Sequence, residues 1–403
     1  MNLLDKNKLR ISLLTGGQDF HYSLGLLSGL VPKELDIEFI GNDHWKNASI
    51  MKNKNVIYYN LRGDQKSEVP LKEKIFRILR YYYRLMKYAA KTDSKLFHIQ
   101  WLNKFTYFDR TLLNIYYKIL GKKLIFTAHD INYRKLVGSD SLANSLSLKF
   151  MYKIVDHLIV HTEKMKLELI ENYHVKEKKI SVIPFGINDV IPKSDLTRVQ
   201  AKKKLHLDDN DKTLLFFGNI APYKGLEYLI LALANVNATY KDFKLIIAGR
   251  IKVDCQAYWK KIQRIIEEHD LKDSIIKRIE YIPEEEAEIY FKAADVLILP
   301  YKNIFQSGLI YTSYHFGLPV VAADVGSLRN DVVEGKTGFI CKPEDPADLA
   351  KKIILYYHSD LFKDLEVTRG KIIEYANENH SWERTGDKTY AVYNNLLTDA
   401  LIN

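Results

Sequence analysis

The chain has 403 residues, and this length predicts two domains of about 190 residues each. Its two cysteines are too few for a disulfide framework or a cysteine-based zinc site, and no apolar run reaches the ~18 residues needed to cross a bilayer. The polar start at Met1–Lys8 does not resemble a signal peptide, so we expect a cytosolic protein.

The net charge of +10 is unevenly distributed along the chain. Residues 1–195 contain 32 Lys and Arg against 20 Asp and Glu, whereas the remainder contains 28 against 30. The N-terminal half is therefore expected to meet an anionic partner, which is a membrane surface, a lipid phosphate or a nucleic acid.

The first half alternates β-like and helix-like segments, and this alternation predicts an α/β fold with a doubly wound parallel sheet. The predicted strands are Arg10–Thr15, Asp36–Gly41, Val56–Leu61, Leu96–Leu102, Lys123–His129, His157–His161 and Ile180–Pro184. Ligands of such sheets bind beyond the carboxyl ends of the strands. We therefore expect one functional edge that includes Gly16, Gly17, Gln18, Trp101, His129 and Asp130.

Residues Leu71–Lys91 form the clearest amphipathic helix pattern. Basic side chains recur every three or four positions on one stripe, namely Lys74, Arg77, Arg80, Arg84, Lys87 and Lys91. The opposite side is apolar and contains Leu71, Ile75, Ile78, Leu79, Tyr82, Leu85, Met86 and Ala89. The basic stripe is either the solvated outer face of a packed helix or a surface for anionic lipid, to which each cation contributes about 1 kcal/mol. Because no nucleic-acid-binding motif accompanies it, we do not expect a nucleic-acid partner.

The second half repeats the α/β pattern after a polar segment, Pro192–Lys212, that we interpret as the inter-domain region. Its predicted strands are Thr213–Gly218, Lys244–Gly249, Ile276–Ile282, Val296–Pro300 and Val320–Ala323. Helical stretches such as Leu226–Val236 and Trp259–His269 lie between them. The acid pair in Asp208–Asp211 resembles a metal-binding DxD motif, but its place in this segment favours a plain polar turn.

The stretch Tyr301–Val321 combines a strand end, a Ser-Gly turn and a short helix. Ser307 is predicted to cap the helix, Gly308 lets the backbone approach a ligand, and the helix should end near Phe316. Free N–H groups and the positive end of the helix dipole suit a diphosphate, although an ordinary turn would have the same pattern. Lys224 and Arg250 follow two other strands and would bring cations to the same edge.

Several motifs, in this order, resemble family-4 retaining glycosyltransferases of the GT-B fold. They are FFGN, KGLEYLILAL, IIAGR, YIPEEEAEIYFKAADVLILPY, SGLIYTSYHFGLPVVAADVG, EGKTGFICKPEDPADLA and SWERTGDKTYAVY, with looser matches at TGG, FHIQW, FTAHD and VIPFGIND. The resemblance implies two Rossmann-like domains facing a cleft, namely an acceptor domain at 1–192 with 379–403 and a nucleotide-sugar domain at 193–378. It also implies that the helix after Trp382 crosses back onto the N-terminal domain.

The resemblance further implies a sugar transfer from a nucleotide diphosphate with retention of the anomeric configuration, without a metal or other cofactor. Lys224 and His129 would be catalytic, with His129 near the donor sugar. The donor would be bound by the positions of Asn219, Lys224, Arg250, Tyr281, Ile282, Gln306, Ser307, Gly308, Leu309 and Thr312. The acceptor would lie on the side of Gly16, Gly17, Gln18, Trp101 and Asp130.

Two departures from the family pattern concern the donor. Asn219 stands where the family often has Arg, and Arg250 is the expected compensation. Ile304 and Thr312 replace two glutamates, so the hydroxyls of the donor sugar would have to meet Gln306 or the backbone.

The predicted function is the transfer of a sugar from UDP or GDP to a lipid-linked saccharide in cell-surface polysaccharide or glycolipid biosynthesis. It would take place peripherally on the inner face of the cell membrane, with the basic stripe towards the lipid. Two alternatives are a soluble transferase acting on a small metabolite or protein, and an inactive GT-B binding module.

Overall fold

A computed structural model describes residues 8–17, 19–65, 69–132, 134, 139–187 and 191–402. The chain divides into two compact units, Met1–Gly186 with His380–Asn403, and Ile187–Asn379. The boundaries expected from sequence were 192/193 and 378/379.

The N-terminal unit is built on a seven-stranded parallel sheet with the order β3-β2-β1-β4-β5-β6-β7. Its strands are β1 (Leu9–Leu14), β2 (Leu35–Gly41), β3 (Val56–Asn60), β4 (Leu96–Ile99), β5 (Lys123–Thr127), β6 (His157–Val160) and β7 (Ile180–Val182). Every strand predicted for this half is present, although most end one to three residues earlier than expected. The strands read as short apolar runs because helices cover the faces of a parallel sheet.

The C-terminal unit is built on a six-stranded parallel sheet with the order β10-β9-β8-β11-β12-β13. Its strands are β8 (Lys212–Phe217), β9 (Phe243–Ala248), β10 (Ile275–Arg278), β11 (Val296–Leu299), β12 (Val320–Ala323) and β13 (Gly338–Cys341). The prediction missed β13, a four-residue strand at the edge of the sheet. Together the two sheets give the doubly wound α/β architecture that the alternating pattern predicts.

Helices connect the strands in both units. They are α1 (Phe20–Leu30), α2 (Leu71–Lys91), α3 (Thr106–Phe108), α4 (Asn114–Ile119), α5 (Leu142–Ile154), α6 (Glu163–Tyr173), α7 (Arg198–Lys204), α8 (Leu226–Asn237), α9 (Gln256–Glu268), α10 (Glu284–Ala293), α11 (Gly308–His315), α12 (Leu328–Asp331), α13 (Pro346–His358), α14 (Asp360–Lys363), α15 (Leu365–His380) and α16 (Trp382–Ile402). Several begin at a side-chain cap: Ser141 accepts from the N–H of Asn144 at 3.2 Å and Thr162 from that of Met165 at 3.1 Å.

The C-terminal helix α16 packs against α1 of the N-terminal unit, as the resemblance implies. The contact depends on glycines, because a Cβ at Gly25 or Gly29 would collide with Trp382, and a Cβ at Gly386 would collide with the backbone of Gly29. Close approach of the two helix backbones lets the buried indole of Trp382 join the core of this unit.

The segment Pro192–Lys212, interpreted from sequence as the inter-domain region, belongs to the C-terminal unit, which begins at Ile187. The chain from Ser194 onwards folds onto the C-terminal unit, where the Arg198 guanidinium pairs with the buried carboxylate of Asp295 at 2.5 Å. A capping box between Thr197 and Gln200 starts α7, which packs against α10. The partners of these polar side chains lie about a hundred residues further along the chain. The local sequence therefore does not show that the segment is packed.

Helix α2 has the predicted bounds, but its faces are not arranged as predicted. Leu71, Ile75 and Leu79, expected to be buried, are 72%, 47% and 55% exposed. Only the second half of the helix packs on the unit, through Tyr81, Tyr82, Leu85, Tyr88 and Ala89.

The two expected stripes of α2 are therefore distributed differently over its first half. Lys74 and Arg77, expected on the outer stripe, are only partly exposed and turn towards the loop at Arg62–Gln65. The solvent-facing ridge of this half is apolar. Within the described part of the chain, no helix is both long and apolar enough to cross a membrane.

Candidate active site

The strand order of the C-terminal unit indicates where a ligand would bind. From β8 the chain moves outwards to β9 and β10, and from β11 it moves the other way to β12 and β13. The loops that follow the adjacent strands β8 and β11 therefore run in opposite directions across the sheet. Such a switch point forms a crevice at the carboxyl ends of the strands. The Lys224 and Ser307 loops predicted from sequence are these two loops.

The two loops are in direct contact. The N–H of Lys302 donates to the carbonyl oxygen of Tyr223 at 2.9 Å. Gly225 adopts φ +65°, and a Cβ there would collide with the carbonyl oxygen of Pro300. Glycine is thus required at this position both by its backbone conformation and by the close approach of the second loop.

Tyr301 connects the two predicted phosphate-binding residues, and sequence reasoning did not identify it. Its buried ring lies 5.4 Å from Lys224 Nζ, and its hydroxyl is 3.4 Å from Ser307 Oγ. Burial raises the pKa of Tyr301 to about 12, so the hydroxyl is neutral at pH 7. Through these two contacts the tyrosine helps to fix the position of one loop relative to the other.

Lys224 is a cation in a poorly solvated place. Burial lowers the pKa of its ammonium group, and the positive charge of Lys252 also lowers it. Among the described residues, no carboxylate forms an ion pair with Lys224. A bound anion would restore the electrostatic stabilisation that burial removes from this side chain.

Helix α11 begins at Gly308, directly after Ser307 at the N-cap position. The Ser307 side chain does not cap the helix, so the predicted capping hydrogen bond is wrong; the hydroxyl lies against Tyr301 instead. A Cβ added at Gly308 would meet nothing within 4 Å, so the start of the helix is open. The preceding main chain is fixed by the N–H of Ser327, which donates to the carbonyl of Phe305 at 2.9 Å.

Arg250 and Asn219 lie together at the ends of β9 and β8. Arg250 Nε donates to Asn219 Oδ1 at 3.2 Å, and the guanidinium lies 5.6 Å from the ring centroid of Tyr281. Ile282, next to Tyr281, is buried. A cation is therefore present beside the position where the family often has Arg, which supports the predicted compensation.

Gln306, Leu309 and Thr312 surround the start of α11. Gln306 Nε2 donates to the Tyr311 hydroxyl at 3.1 Å, while Thr312 is buried and its hydroxyl donates to the carbonyl of Gly308 at 3.5 Å. Leu309 is partly exposed. The roles predicted for these residues towards the donor sugar and ribose stay predictions.

The N-terminal unit has its own switch point, between β1 and β4. Gly16 has φ +59°, and a Cβ there would lie 2.6 Å from the carbonyl oxygen of Trp101. The imidazole of His129 stacks on the Trp101 indole with ring centroids 3.8 Å apart. Gly17 and Asp130 lie on the same edge, and Gln18 lies outside the described residues. The structure thus brings together the acceptor-side residues that it describes, while their role stays a prediction.

His129 is held by a second histidine, His161, that the sequence analysis did not single out. His161 Nδ1 lies 3.0 Å from the carbonyl oxygen of Ile183, and its Nε2 lies 2.9 Å from His129 Nδ1. A carbonyl only accepts, so His161 Nδ1 carries the proton, and its Nε2 then accepts from His129 Nδ1. In the neutral pair, the lone pair of His129 is therefore on Nε2.

Burial keeps this histidine pair neutral. It lowers the pKa of His161 to about 4. It also lowers the pKa of His129 well below its usual value, and the repulsion between two protonated imidazoles acts in the same direction. His129 Nε2 is itself buried and has no hydrogen-bond partner in the described structure.

Two family models match the chain. The model described as "Glycosyl transferases group 1" matches residues 198–379, and the model described as "Glycosyltransferase Family 4" matches residues 46–190. The D-inositol 3-phosphate glycosyltransferase of Corynebacterium efficiens is 26% identical over 286 residues, which are 68% of this chain and 66% of that protein. The same-named protein of Geodermatophilus obscurus is 26% identical over 67% of this chain and 60% of that protein. The matched region thus spans less than two thirds of the length of these relatives.

Solved structures of similar fold cover nearly the whole chain. Sucrose-phosphate synthase of Thermosynechococcus elongatus has a TM-score of 0.74 at 18% identity and covers 97% of this chain and 100% of that one. Anabaena Alr3699/HepE in complex with UDP has a TM-score of 0.72 at 16% identity and covers 96% of this chain and 100% of that one. These similarities confirm the GT-B fold class, with two Rossmann-like units.

Proposed function

We propose that the chain, which the glycosyltransferase models match over residues 46–190 and 198–379, transfers a sugar with retention from a nucleotide diphosphate to a phosphate-bearing, membrane-associated acceptor. The single observation that carries the proposal is the pair of loops at the β8–β11 switch point. Together with Arg250 after β9, they place an open helix start and a partly buried lysine at one edge of the sheet, and this lysine has no ion-pair partner among the described residues. Alr3699/HepE was solved with UDP-glucose as well as UDP, which supports UDP as the nucleotide.

In the proposed mechanism, the bond between the anomeric carbon and the diphosphate oxygen breaks. Lys224, Arg250 and the N–H groups at Ser307–Gly308 stabilise the charge that develops on the leaving diphosphate. The acceptor hydroxyl forms the new bond on the same face of the sugar and gives its proton to the leaving phosphate oxygen. No strong protein base is required for this step, and the role expected for His129 near the donor sugar stays a prediction.

The Lys224→Ala variant tests this assignment. Since Lys224 would act on charge that develops in the transition state, we expect kcat to fall by about 100- to 1,000-fold with a smaller change in KM. The measurement is release of UDP or GDP from a panel of sugar nucleotides. Lys260→Ala, an exposed lysine of α9, is the control and should retain wild-type turnover. Undiminished turnover in Lys224→Ala would remove the lysine from the mechanism.

The surface of the N-terminal unit supports an acceptor that resides in a membrane. The exposed ridge of α2 contains Leu71, Ile75, Phe76, Leu79 and Tyr83, and exposed cations Lys72, Arg80 and Lys87 flank it. Further exposed apolar side chains lie between the N-cap of α3 and the end of α5, namely Phe105, Tyr107, Leu112, Ile119, Leu142, Leu146 and Phe150. Right-handed crossovers put α2 to α5 on one face of the sheet. An apolar surface with a cationic border fits the interface of an anionic bilayer.

A second candidate acceptor is a small phosphorylated metabolite. The names of the curated relatives, D-inositol 3-phosphate glycosyltransferases, favour it. Flotation with anionic vesicles separates the two, because a transferase for a soluble metabolite has no need to float. Titration with UDP, GDP and ADP tests the remaining possibility, a binding module without activity, which should bind none of them.

A further inference from the structure

A cavity of about 290 Å³ lies beside the first half of α2 in the N-terminal unit. It is lined by Arg62, Asp64, Gln65, Val69, Lys74, Arg77, Ile78, Tyr81 and Lys104, and is called the α2 pocket below. Residues 74, 77, 78 and 81 share one face of the helix, since they are three or four positions apart. Arg62, Asp64, Gln65 and Val69, which lie between β3 and α2, and Lys104 after β4 supply the other walls.

The α2 pocket is strongly cationic. Four basic side chains line it against the single carboxylate of Asp64. Arg77 pairs with Asp64 at 3.4 Å and with Glu73 at 2.5 Å, whereas Lys74 and Lys104 form no ion pair with any described residue. Two lysines close to one cavity and without a counterion repel each other, and a polyvalent anion between them would remove that repulsion.

The pocket is also held in shape. The buried Tyr81 donates from its hydroxyl to Asn103 Oδ1 at 2.6 Å, next to Lys104, and its ring lies 5.5 Å from the guanidinium of Arg62. Asn103 is fixed in turn by its N–H, which donates to the buried carboxylate of Asp109 at 2.7 Å. Tyr81, Asn103 and Arg62 thus form a fixed part of the wall, which reduces the entropy lost on binding a ligand.

The α2 pocket lies between the expected acceptor side and the apolar ridge of α2. Arg62 donates a hydrogen bond to the carbonyl oxygen of Gly16, on the edge where the acceptor is expected. Ile78 and Val69 line the cavity. The exposed Ile75 and Leu79 are neighbours of Ile78 on α2. A ligand with an anionic group and an apolar chain would find a partner for each part.

We propose that the α2 pocket binds the phosphate or diphosphate group of the acceptor and that the apolar ridge of α2 receives the acceptor's lipid chain. This proposal rests on the proposed function and adds to it the chemical group by which the acceptor is recognised. The chemistry shared by a lipid-linked and a soluble acceptor is the phosphate, so the experiment uses a probe of each kind.

The probes are farnesyl diphosphate, used below its critical micelle concentration, and inorganic pyrophosphate. Each is titrated calorimetrically into the full chain saturated with UDP, which fills the donor crevice. Lys74→Gln/Lys104→Gln should weaken farnesyl diphosphate binding by about tenfold or more, because two charge-assisted contacts are lost. Lys72→Gln/Lys91→Gln removes the same charge from exposed positions of α2 outside the pocket and should change the affinity less than about twofold.

Each outcome decides one part of the proposal. Equal loss of affinity in the two double variants means non-specific attraction and overturns the pocket. Equal affinity of the wild type for the two probes keeps phosphate recognition but overturns the lipid chain. Lys104→Gln alone, at an exposed position, repeats the test if the double variant fails to fold. UDP titration of the wild type reports separately on the proposed function. If UDP binds and Lys74→Gln/Lys104→Gln binds farnesyl diphosphate as tightly as the wild type does, the pocket alone is refuted.

Discussion

At the scale of single residues, the central feature is the placement of Tyr301 between Lys224 and Ser307. The face of a tyrosine ring attracts a cation by about 0.5–2 kcal/mol, depending on how far the cation is desolvated. The ring therefore holds the ammonium group of the partly buried Lys224 in place. The hydroxyl contributes less, since its 3.4 Å separation from Ser307 Oγ is long for a hydrogen bond.

Substitutions of Tyr301 separate the ring from the hydroxyl. We expect Tyr301→Phe to keep kcat within about threefold of wild type, whereas Tyr301→Leu should lower it by about 3- to 30-fold through loss of the ring face. Steady-state kinetics with a saturating donor measure both. Because Tyr301 acts through Lys224, adding Tyr301→Leu to Lys224→Ala should cause little further loss. Full additivity in this double variant would contradict the coupling.

The motif-bearing residues of the site were predictable from sequence, and the residues that hold them were not. Lys224, Arg250 and Ser307 each follow a strand, and the carboxyl ends of parallel strands meet at one edge. Tyr301 and His161 carry no motif that we recognised. Their importance appears only when two loops, or two neighbouring strands, are placed side by side.

At the scale of elements, α2 shows the limit of a periodicity argument. The repeat fixed the helix and its ends, because Leu71–Lys91 are the observed bounds. It did not fix which part of the helix has a partner. Tyr82, Leu85 and Ala89 pack on the N-terminal unit, but Leu71, Ile75 and Leu79 continue the same apolar stripe without a partner in the described structure.

The exposed first half of α2 predicts how the protein should bind vesicles. Replacing Leu71, Ile75, Phe76 and Leu79 by Gln should reduce flotation with anionic vesicles by about tenfold or more, since each buried side chain contributes roughly 1.5–3 kcal/mol when fully inserted. Reversing Lys74, Arg77, Arg80 and Arg84 to Glu should also reduce it, most strongly at low salt.

The control for vesicle binding is a pair of exposed apolar residues in the other unit. Leu355→Gln/Val367→Gln alters side chains of the C-terminal unit that are 46% and 57% exposed, and flotation should be unchanged. Wild-type protein that does not float with anionic vesicles would end the membrane proposal and favour a soluble phosphorylated acceptor.

At the scale of the whole molecule, buried titratable groups predict how stability depends on pH. Burial lowers the pKa of His98 to about 3, and those of His157, His161 and His315 to about 4. Below pH ~6.5 these groups bind a proton in the unfolded chain but not in the folded one. The free energy of unfolding therefore falls as the pH drops from 6.5 to 4. Asp109 and Asp331 act oppositely, because burial raises their pKa to about 6.

The four histidines outnumber the two aspartates, so we expect a net loss of stability between pH 6.5 and pH 4. His98 is the sharpest test, since its ring nitrogens lie 2.6 Å from the Tyr393 hydroxyl and 2.7 Å from Thr127 Oγ1. His98→Asn should flatten the plot of unfolding free energy against pH by about 1.4 kcal/mol per pH unit in this window, one proton's worth. Urea unfolding at several pH values measures it. An unchanged slope would mean that His98 also takes up a proton when folded.

The sequence by itself determined the α/β architecture, two units close to the expected boundaries, the resemblance to glycosyltransferases, and the loops that carry Lys224 and Ser307. These features follow from local periodicity and from motifs of contiguous residues, which a chain displays before it folds. The edge strand β13 was missed; it begins at Gly338, and glycine in a strand weakens the sequence signal.

Only the tertiary structure decided which side chains support the site and which surfaces stay uncovered. The ring of Tyr301 under Lys224, the hydrogen bond from His129 to His161, the apolar ridge of α2 and the cations of the α2 pocket all depend on residues that are distant in sequence or on the absence of a packing partner. Burial, hydrogen bonding and pKa shifts are properties of surroundings, and those surroundings exist only when the strands and loops are assembled.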